Sequence, residues 1–189
     1  MLRILLLTIL LTSVAYLVLN AQDYDADSKR ISQINRGNQL VNEGRCNNCH
    51  TPLIETKDGL IPDSKRTLSG HPSDSEIPEI PAVEIDSEEW LKFLYSLDST
   101  VWAGEWGMSF SANLTPDPMT GIGKWNGETF IEIMRSGHHV NLKRNIKPPM
   151  PWKDYAKLSD EDLRSIFAYL ATLPPIRNAV PKPVPLPLP

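Results

Sequence analysis

Cysteine is scarce: the 189 residues include two, Cys46 and Cys49, with two residues between them. That excludes a multi-bridge framework, and a chain this long can bury a real core without one. The pair therefore has to be weighed as a motif rather than as a cross-link. Clustered basic charge is also missing. The net charge is −4, so the footprint of nucleic-acid binding is absent. A mildly acidic protein can still dock on a basic partner. There is no internal repeat, and nothing resembles a paired-carboxylate acid/base site, a nucleophile triad or a phosphate loop. Between Pro72 and Glu89 basic residues vanish while seven acidic ones accumulate, and Pro78 and Pro81 break any regular element there.

What is present begins with the N-terminus. Met1-Leu2-Arg3 supplies a positive start, Ile4 to Leu19 carries no charge, and Asn20-Ala21-Gln22 opens into the polar Asp23-Tyr24-Asp25-Ala26-Asp27. This is the layout of a secretory signal with cleavage after Ala21. An uncleaved anchor over the same residues 1–21 is the rival, although the run is short of the ~20 residues of a comfortable span. No cysteine follows directly, which argues against a lipid-anchored N-terminus. Both readings place the remainder outside the cytoplasm.

Residues 22–30 read as a flexible, solvated lead-in. Ile31, Ile34, Leu40 and Val41 then fit one side of a short helix, with Gly37 marking close packing against another element. Trp90 to Tyr95 is apolar enough to pack back on the domain, and Val101 to Leu114 predicts a hairpin around Gly104 and Gly107. Ser111 to Pro118 is turn chemistry. A helix is expected over 126–136, burying Phe130, Ile133 and Met134 and stopping at Gly137. The last helix is capped by Ser159, has Asp160, Glu161 and Asp162 at its positive end, and buries Leu163, Ile166, Phe167, Leu170 and Leu173. The Pro-rich tail 181–189 is extended, either a spacer or frayed.

Cys46-Asn47-Asn48-Cys49-His50 matches C-x-x-C-H, the haem c attachment pattern. Two thiols so spaced can add to the two vinyl groups on one edge of a porphyrin, and the next residue turns its imidazole onto the iron. Two other readings compete. Zinc could take Cys46, Cys49, His50 and one of His71, His138 or His139. A thioredoxin-like pair would use C-x-x-C alone, but it expects a βαβ setting absent here. The sixth iron position falls to Met150, which stands between Pro149 and Pro151 in a loop those prolines stiffen; a distal histidine is the alternative. Met134 is expected in the core, Met119 in a turn and Met108 in the hairpin. His138 and His139 read as an exposed loop pair, with a hydrogen bond near a haem propionate as the other option, and His71 as a turn residue. Trp125 and Trp152 read as core, or as indole donors to a propionate.

At these residues the chain resembles class I c-type cytochromes from Ile31 through Val180, and more closely the bacterial cytochrome c proteins that serve as partners or subunits of periplasmic dehydrogenases. The likeness rests on Arg36-Gly37 and Leu40-Val41 ahead of the Cys46–His50 motif, on Asn113-Leu114-Thr115-Pro116-Asp117 with Gly121-Ile122-Gly123-Lys124-Trp125, on Pro148-Pro149-Met150-Pro151-Trp152, and on Ala156 to Leu163. It implies a mainly α, cytochrome c-like helical fold over 31–180 around one covalently bound haem c, with long loops and a small β-hairpin insertion. It implies Met150 as the distal ligand opposite His50, and a crossing of the first and last helices at Gly37 against Phe167 or Tyr169. The expected function is periplasmic electron transfer between a protein donor and acceptor, without catalysis by the chain itself. The alternatives are a haem c enzyme or gas sensor with a displaceable distal ligand, or a fixed subunit of a dehydrogenase or oxidase complex. Two departures from the family pattern stand out: many relatives carry two or three haems, and Leu53 to Thr100 is longer than in a minimal cytochrome.

Overall fold

The computed structural model describes residues 2–139 and 143–187, with side chains from residue 22 onward. Helix α1 spans Leu2–Glu43 and α2 Cys46–His50. The hairpin β1 (Leu53–Thr56) and β2 (Gly59–Pro62) follows, then α3 (Glu88–Ser96) and the hairpin β3 (Val101–Gly104) and β4 (Gly107–Phe110). The chain continues through α4 (Gly127–Ser136), the short hairpin β5 (His138–His139) and β6 (Arg144–Asn145), α5 (Trp152–Tyr155) and α6 (Asp160–Leu170). The architecture is mixed rather than mainly α: among the described residues, six helices frame three separate two-stranded antiparallel hairpins, where one hairpin was expected. It is consistent with a cytochrome c-like fold.

The apolar run Ile4–Leu19 lies in the α1 backbone, outside the residues whose side chains are described. Among the described residues no helix is long and apolar enough to cross a membrane. Residues 22–30 are exposed as expected, but they continue the helix rather than forming an irregular lead-in.

The scaffold is the crossing of α1 and α6. A Cβ on Gly37 would lie 1.9 Å from the Ser165 carbonyl oxygen and 2.8 Å from Cβ of Tyr169, so only glycine lets the backbones approach this closely. Tyr169 fills the crossing, while Phe167 turns to stack at 6.0 Å on Phe130 of α4. Arg36 closes the edge with a two-pronged pair to Asp162, at 2.8 and 3.1 Å. Ile31 departs from expectation at 59% exposure. Arg36 already meets the first turn of α6, so α1 before it runs past the cover of its partner.

Side-chain caps explain where the helices begin. Asn126, Ser159 and Ser87 accept from the backbone N–H groups of Thr129, Asp162 and Trp90, starting α4, α6 and α3. Gly137 ends α4 at φ 66° and is indispensable twice over, because a Cβ there would strike the Trp152 ring at 2.4 Å. Leu40, Val41, Ile133, Leu163, Ile166 and Leu170 form the centre of the core.

The Pro-rich tail is held against the domain as far as Val184. Met108 and Val184 exchange backbone hydrogen bonds at 2.7 and 2.9 Å, extending the β3–β4 hairpin. Asn178 anchors the approach, donating to the carbonyls of Ser69 and His71 and accepting from the Ser73 N–H.

Candidate functional site

His50 is placed by a chain of backbone locks. Thr51 Oγ donates to Asn47 Oδ1 and accepts from the Leu68 N–H, and the Gly70 N–H donates to the His50 carbonyl. Residues 68–71 then run beside 111–114, with Leu114 N–H donating to Leu68 O and His71 N–H to Ser111 O. Gly70, at φ 76°, makes this approach possible; a Cβ there would sit 2.3 Å from the Ser111 carbonyl oxygen. The result is the Ala112 carbonyl 2.8 Å from His50 Nδ1. A carbonyl only accepts, so Nδ1 carries the proton and Nε2 keeps its lone pair. Burial holds the ring below its ordinary pKa, only partly offset by that hydrogen bond, so it stays neutral. A neutral imidazole oriented through its other nitrogen is what a metal ligand requires.

His50 lines a cavity of ≈ 360 Å³ together with Cys46, Cys49 and Met150. The helix α2 brings the first three, and the loop after β6, which contains the cis Pro148–Pro149 bond, brings the fourth. Val41, Leu114, Ile122, Phe130, Ile166 and Leu170 make the wall apolar. Both cysteines are free thiols raised above their ordinary pKa, chiefly by burial. That suits thiols consumed in thioether bonds and opposes the thioredoxin-like reading, whose attacking cysteine needs a lowered pKa. Tyr155 lies beside Cys46 in the wall, its hydroxyl donating to the Gly44 carbonyl at 3.0 Å.

The zinc set does not assemble. Among the described residues no three His, Cys, Asp or Glu side chains group as metal ligands. His71 is buried elsewhere, with Nδ1 2.8 Å from Thr100 Oγ and its ring on Phe110. Nδ1 of His138 meets Asn145 Oδ1 at 2.8 Å. Of these three candidate fourth ligands, His139 is the one that lines the cavity.

His139 also corrects the expectation of an exposed pair. Its ring is half-buried, tilts 5.8 Å from Trp125, and carries a buried Nδ1 with no partner among the described residues. Burial, with Arg144 second, pushes its pKa down to about 4. Arg144 lines the same region, its own pKa lowered by burial, with no carboxylate at ion-pair distance among the described residues. An arginine, an indole and an unpartnered ring nitrogen at the edge of an apolar cavity form a place for a ligand's carboxylates. Trp152 lies outside the cavity lining and packs on Gly137 instead. Met134 is buried in α4 as expected and also lines the cavity, so two thioethers face it rather than one. Met119 is exposed, and Met108 is fully buried beside Val184.

These residues fit haem c. Two thiols and a neutral, oriented imidazole sit on one short helix, a methionine shares the cavity, and the walls are apolar with cationic and donor groups at one edge. Sequence reading missed the Ala112 carbonyl, which leaves no side-chain signal, and the grouping of His139 with Arg144. The run Lys143-Arg144-Asn145-Ile146-Lys147 ahead of the proline loop was the available hint.

No family model matches the chain. Partial similarity reaches three dehydrogenase components. The chain is 36% identical over 75 residues to one component of the nicotinate dehydrogenase of Pseudomonas putida, a match that covers 40% of this chain and 6% of that protein. It is 38% identical over 63 residues to the cytochrome c subunit of the quinone alcohol dehydrogenase of Gluconobacter oxydans, covering 33% and 13%. It is 40% identical over 63 residues to the gluconate 2-dehydrogenase cytochrome c subunit of Pantoea cypripedii, covering 33% and 14%. The matched region is thus a small fraction of each relative. Two of these relatives are named as cytochrome c subunits of dehydrogenases.

Proposed function

We propose that the chain is an extracytoplasmic electron carrier holding one haem c by thioethers to Cys46 and Cys49, with His50 and Met150 as axial ligands. The observation that carries this reading is the convergence of those four side chains on one apolar cavity, with His50 Nε2 left free by the Ala112 bond. When bound, the haem supplies a one-electron iron couple, and a His/Met pair sets it toward higher potential. The chain's own residues do the rest. The thioethers prevent loss of the group, the Ala112 carbonyl fixes the imidazole in both oxidation states, and the apolar wall keeps water from the metal. Arg144, Trp125 and His139 meet the propionates. With His50 and Met150 both holding the iron, no coordination site would be left open, which suits transfer rather than substrate chemistry.

The names of the relatives favour a second layer to the same reading, that the carrier works as a subunit or close partner of a dehydrogenase. The decisive experiment is the absorption spectrum of the purified exported protein. A low-spin reduced spectrum, haem colour that stays with the polypeptide after denaturation, and a weak sulfur–iron band in the oxidised near infrared are expected. Rapid carbon monoxide binding by the reduced protein at neutral pH would favour the enzyme or gas-sensor alternative. A colourless protein with free thiols would remove the haem reading altogether.

A further inference from the structure

None of residues 53–95 lines the cavity, and within this segment it is the backbone of 68–71 that helps to place His50. Yet the segment carries eight of the eleven exposed large hydrophobic side chains among the described residues, which makes it the place to look for a covering partner. Four belong to the β1–β2 hairpin. The register puts Leu53 and Leu60 on one face and Ile54 opposite Ile61 on the other, so both faces of the hairpin carry partly exposed apolar side chains. Leu60 is 67% exposed. A two-stranded hairpin of this kind is marginal alone. Here its foot is fastened by the Asp63 N–H to the Pro52 carbonyl and by Arg66 to Asp63 at 2.7 Å. The same Arg66 reaches Asp74 at 3.8 Å, tying the foot to the start of the acidic stretch. The other four are Ile77, Ile85, Leu91 and Tyr95; helical spacing puts Leu91 and Tyr95 on the outer face of α3 beside Glu88.

Charge identifies what covers this surface. Residues 53–98 hold eleven acidic and four basic side chains, a balance of −7, which leaves the rest of the chain at +3. Such a field opposes an anionic lipid surface, and in a two-fold pairing of identical copies it would face itself. It complements a protein surface rich in lysine and arginine. Resting on the electron-transfer reading above, we propose that residues 53–95 dock a protein partner presenting an apolar cleft with a basic rim, the hairpin entering the cleft and the acidic stretch meeting the rim. Leu53 follows His50 by three residues, so docking here brings the partner close to the axial ligand. The rim formed by Arg45, Arg144 and Lys147 stays open to a second redox protein.

The test is photocrosslinking of the full chain in its native host. A benzophenone amino acid replaces Leu60 in one variant and Tyr95 in another. The expected result is one protein adduct common to both positions, mapped to peptides rich in lysine and arginine. Its yield should fall about tenfold in E84K/E88K and stay unchanged in the matched charge reversal D23K/D25K on α1. Lipid adducts, adducts to a second copy, different proteins at the two positions, no adduct, or indifference to E84K/E88K would each overturn the proposal. The absorption spectrum of the same preparation separates the two layers. A haem-loaded, reducible chain without the adduct sinks the docking surface alone, whereas a colourless chain sinks the carrier reading and this inference with it.

Discussion

Two regions of this molecule follow opposite rules. Around the α1–α6 crossing and the cavity, every approach is tight: Gly37 admits a carbonyl, Gly70 admits the 111–114 segment, and Asn113 and Asp117 use their side chains to fix the turn between. In residues 53–67 and 72–98 the backbone is mostly irregular, the hairpin shows apolar residues on both faces, and acidic side chains dominate. The first region packs on itself around the cavity proposed to hold the haem. The second has Trp90 as an anchor, 2% exposed, and little else buried along α3. One region therefore sets the orientation of His50, and the other, the 68–71 lock apart, makes no contact with the cavity.

The sharpest way to break this comparison lies in the cavity. Two methionines line it; Met150 is the one proposed as an iron ligand, while Met134 is buried in α4. Met150→Ala is expected to abolish the sulfur–iron band and open the iron to carbon monoxide. Met134→Ala should keep the band and instead lower stability by about 2–5 kcal/mol, the range for a truncated core methionine. The reverse pattern would move the ligand to α4.

Next comes the crossing. Alanine at position 37 gains about 1 kcal/mol of helix propensity, but its methyl collides with the Ser165 carbonyl backbone rather than a yielding side chain. Gly37→Ala should therefore destabilise by about 2 kcal/mol net or more, measured by denaturant unfolding with unchanged slope. A neutral result would mean that the two helices do not touch backbone to backbone.

How much of this was legible follows the same division. The α4 and α6 boundaries were readable because caps, acidic first turns and Gly137 are local signals, and the Gly37 crossing showed as a glycine where helix propensity opposed one. The β1–β2 hairpin escaped even though Asp58-Gly59 is a hairpin dipeptide between apolar pairs. Its strands are four residues each and lack the polar face that alternation detects. Tyr95 was expected to pack and is 89% exposed, because α3 buries Trp90 and turns its other side outward. At the site, the residue types of C-x-x-C-H and the proline-flanked methionine were visible, but the orientation of His50 depends on a carbonyl 62 residues away. His139 faces the cavity through the β5–β6 pairing, a contact no local pattern announces.

Acid should act on two buried histidines. Buried His71 is held neutral by desolvation, against the opposing pull of Asp98 and Asp74, and His139 is pushed down to about 4. Both titrate in the unfolded chain near 6.5, so the unfolded state binds more protons as pH falls. The stability they protect is full above about 6.5 and is lost as pH drops toward their folded values, on the order of 2 kcal/mol for His139. Unfolding of the haem-free chain at pH 7, 6 and 5 should show that decline, with a shallower slope in His139→Gln. A flat profile would place both rings in contact with water.

The smallest expected effect is the most informative about residues 53–98. Leu60→Ser and Tyr95→Ser remove large apolar groups, and in an ordinary core each would cost several kcal/mol. Here Leu60 stays 67% and Tyr95 89% exposed on folding, so little transfer free energy is lost, and each should change stability by no more than about 1 kcal/mol. Trp90→Ala, in the same segment, should cost about 3–5 kcal/mol if the segment unfolds with the domain. If it melts separately, Trp90→Ala will leave the main transition in place and add an earlier one, visible as loss of coincidence between tryptophan fluorescence and haem absorbance. A large penalty at Leu60 would mean that the hairpin is already covered within the chain, and its apolar faces would then have no need of another protein.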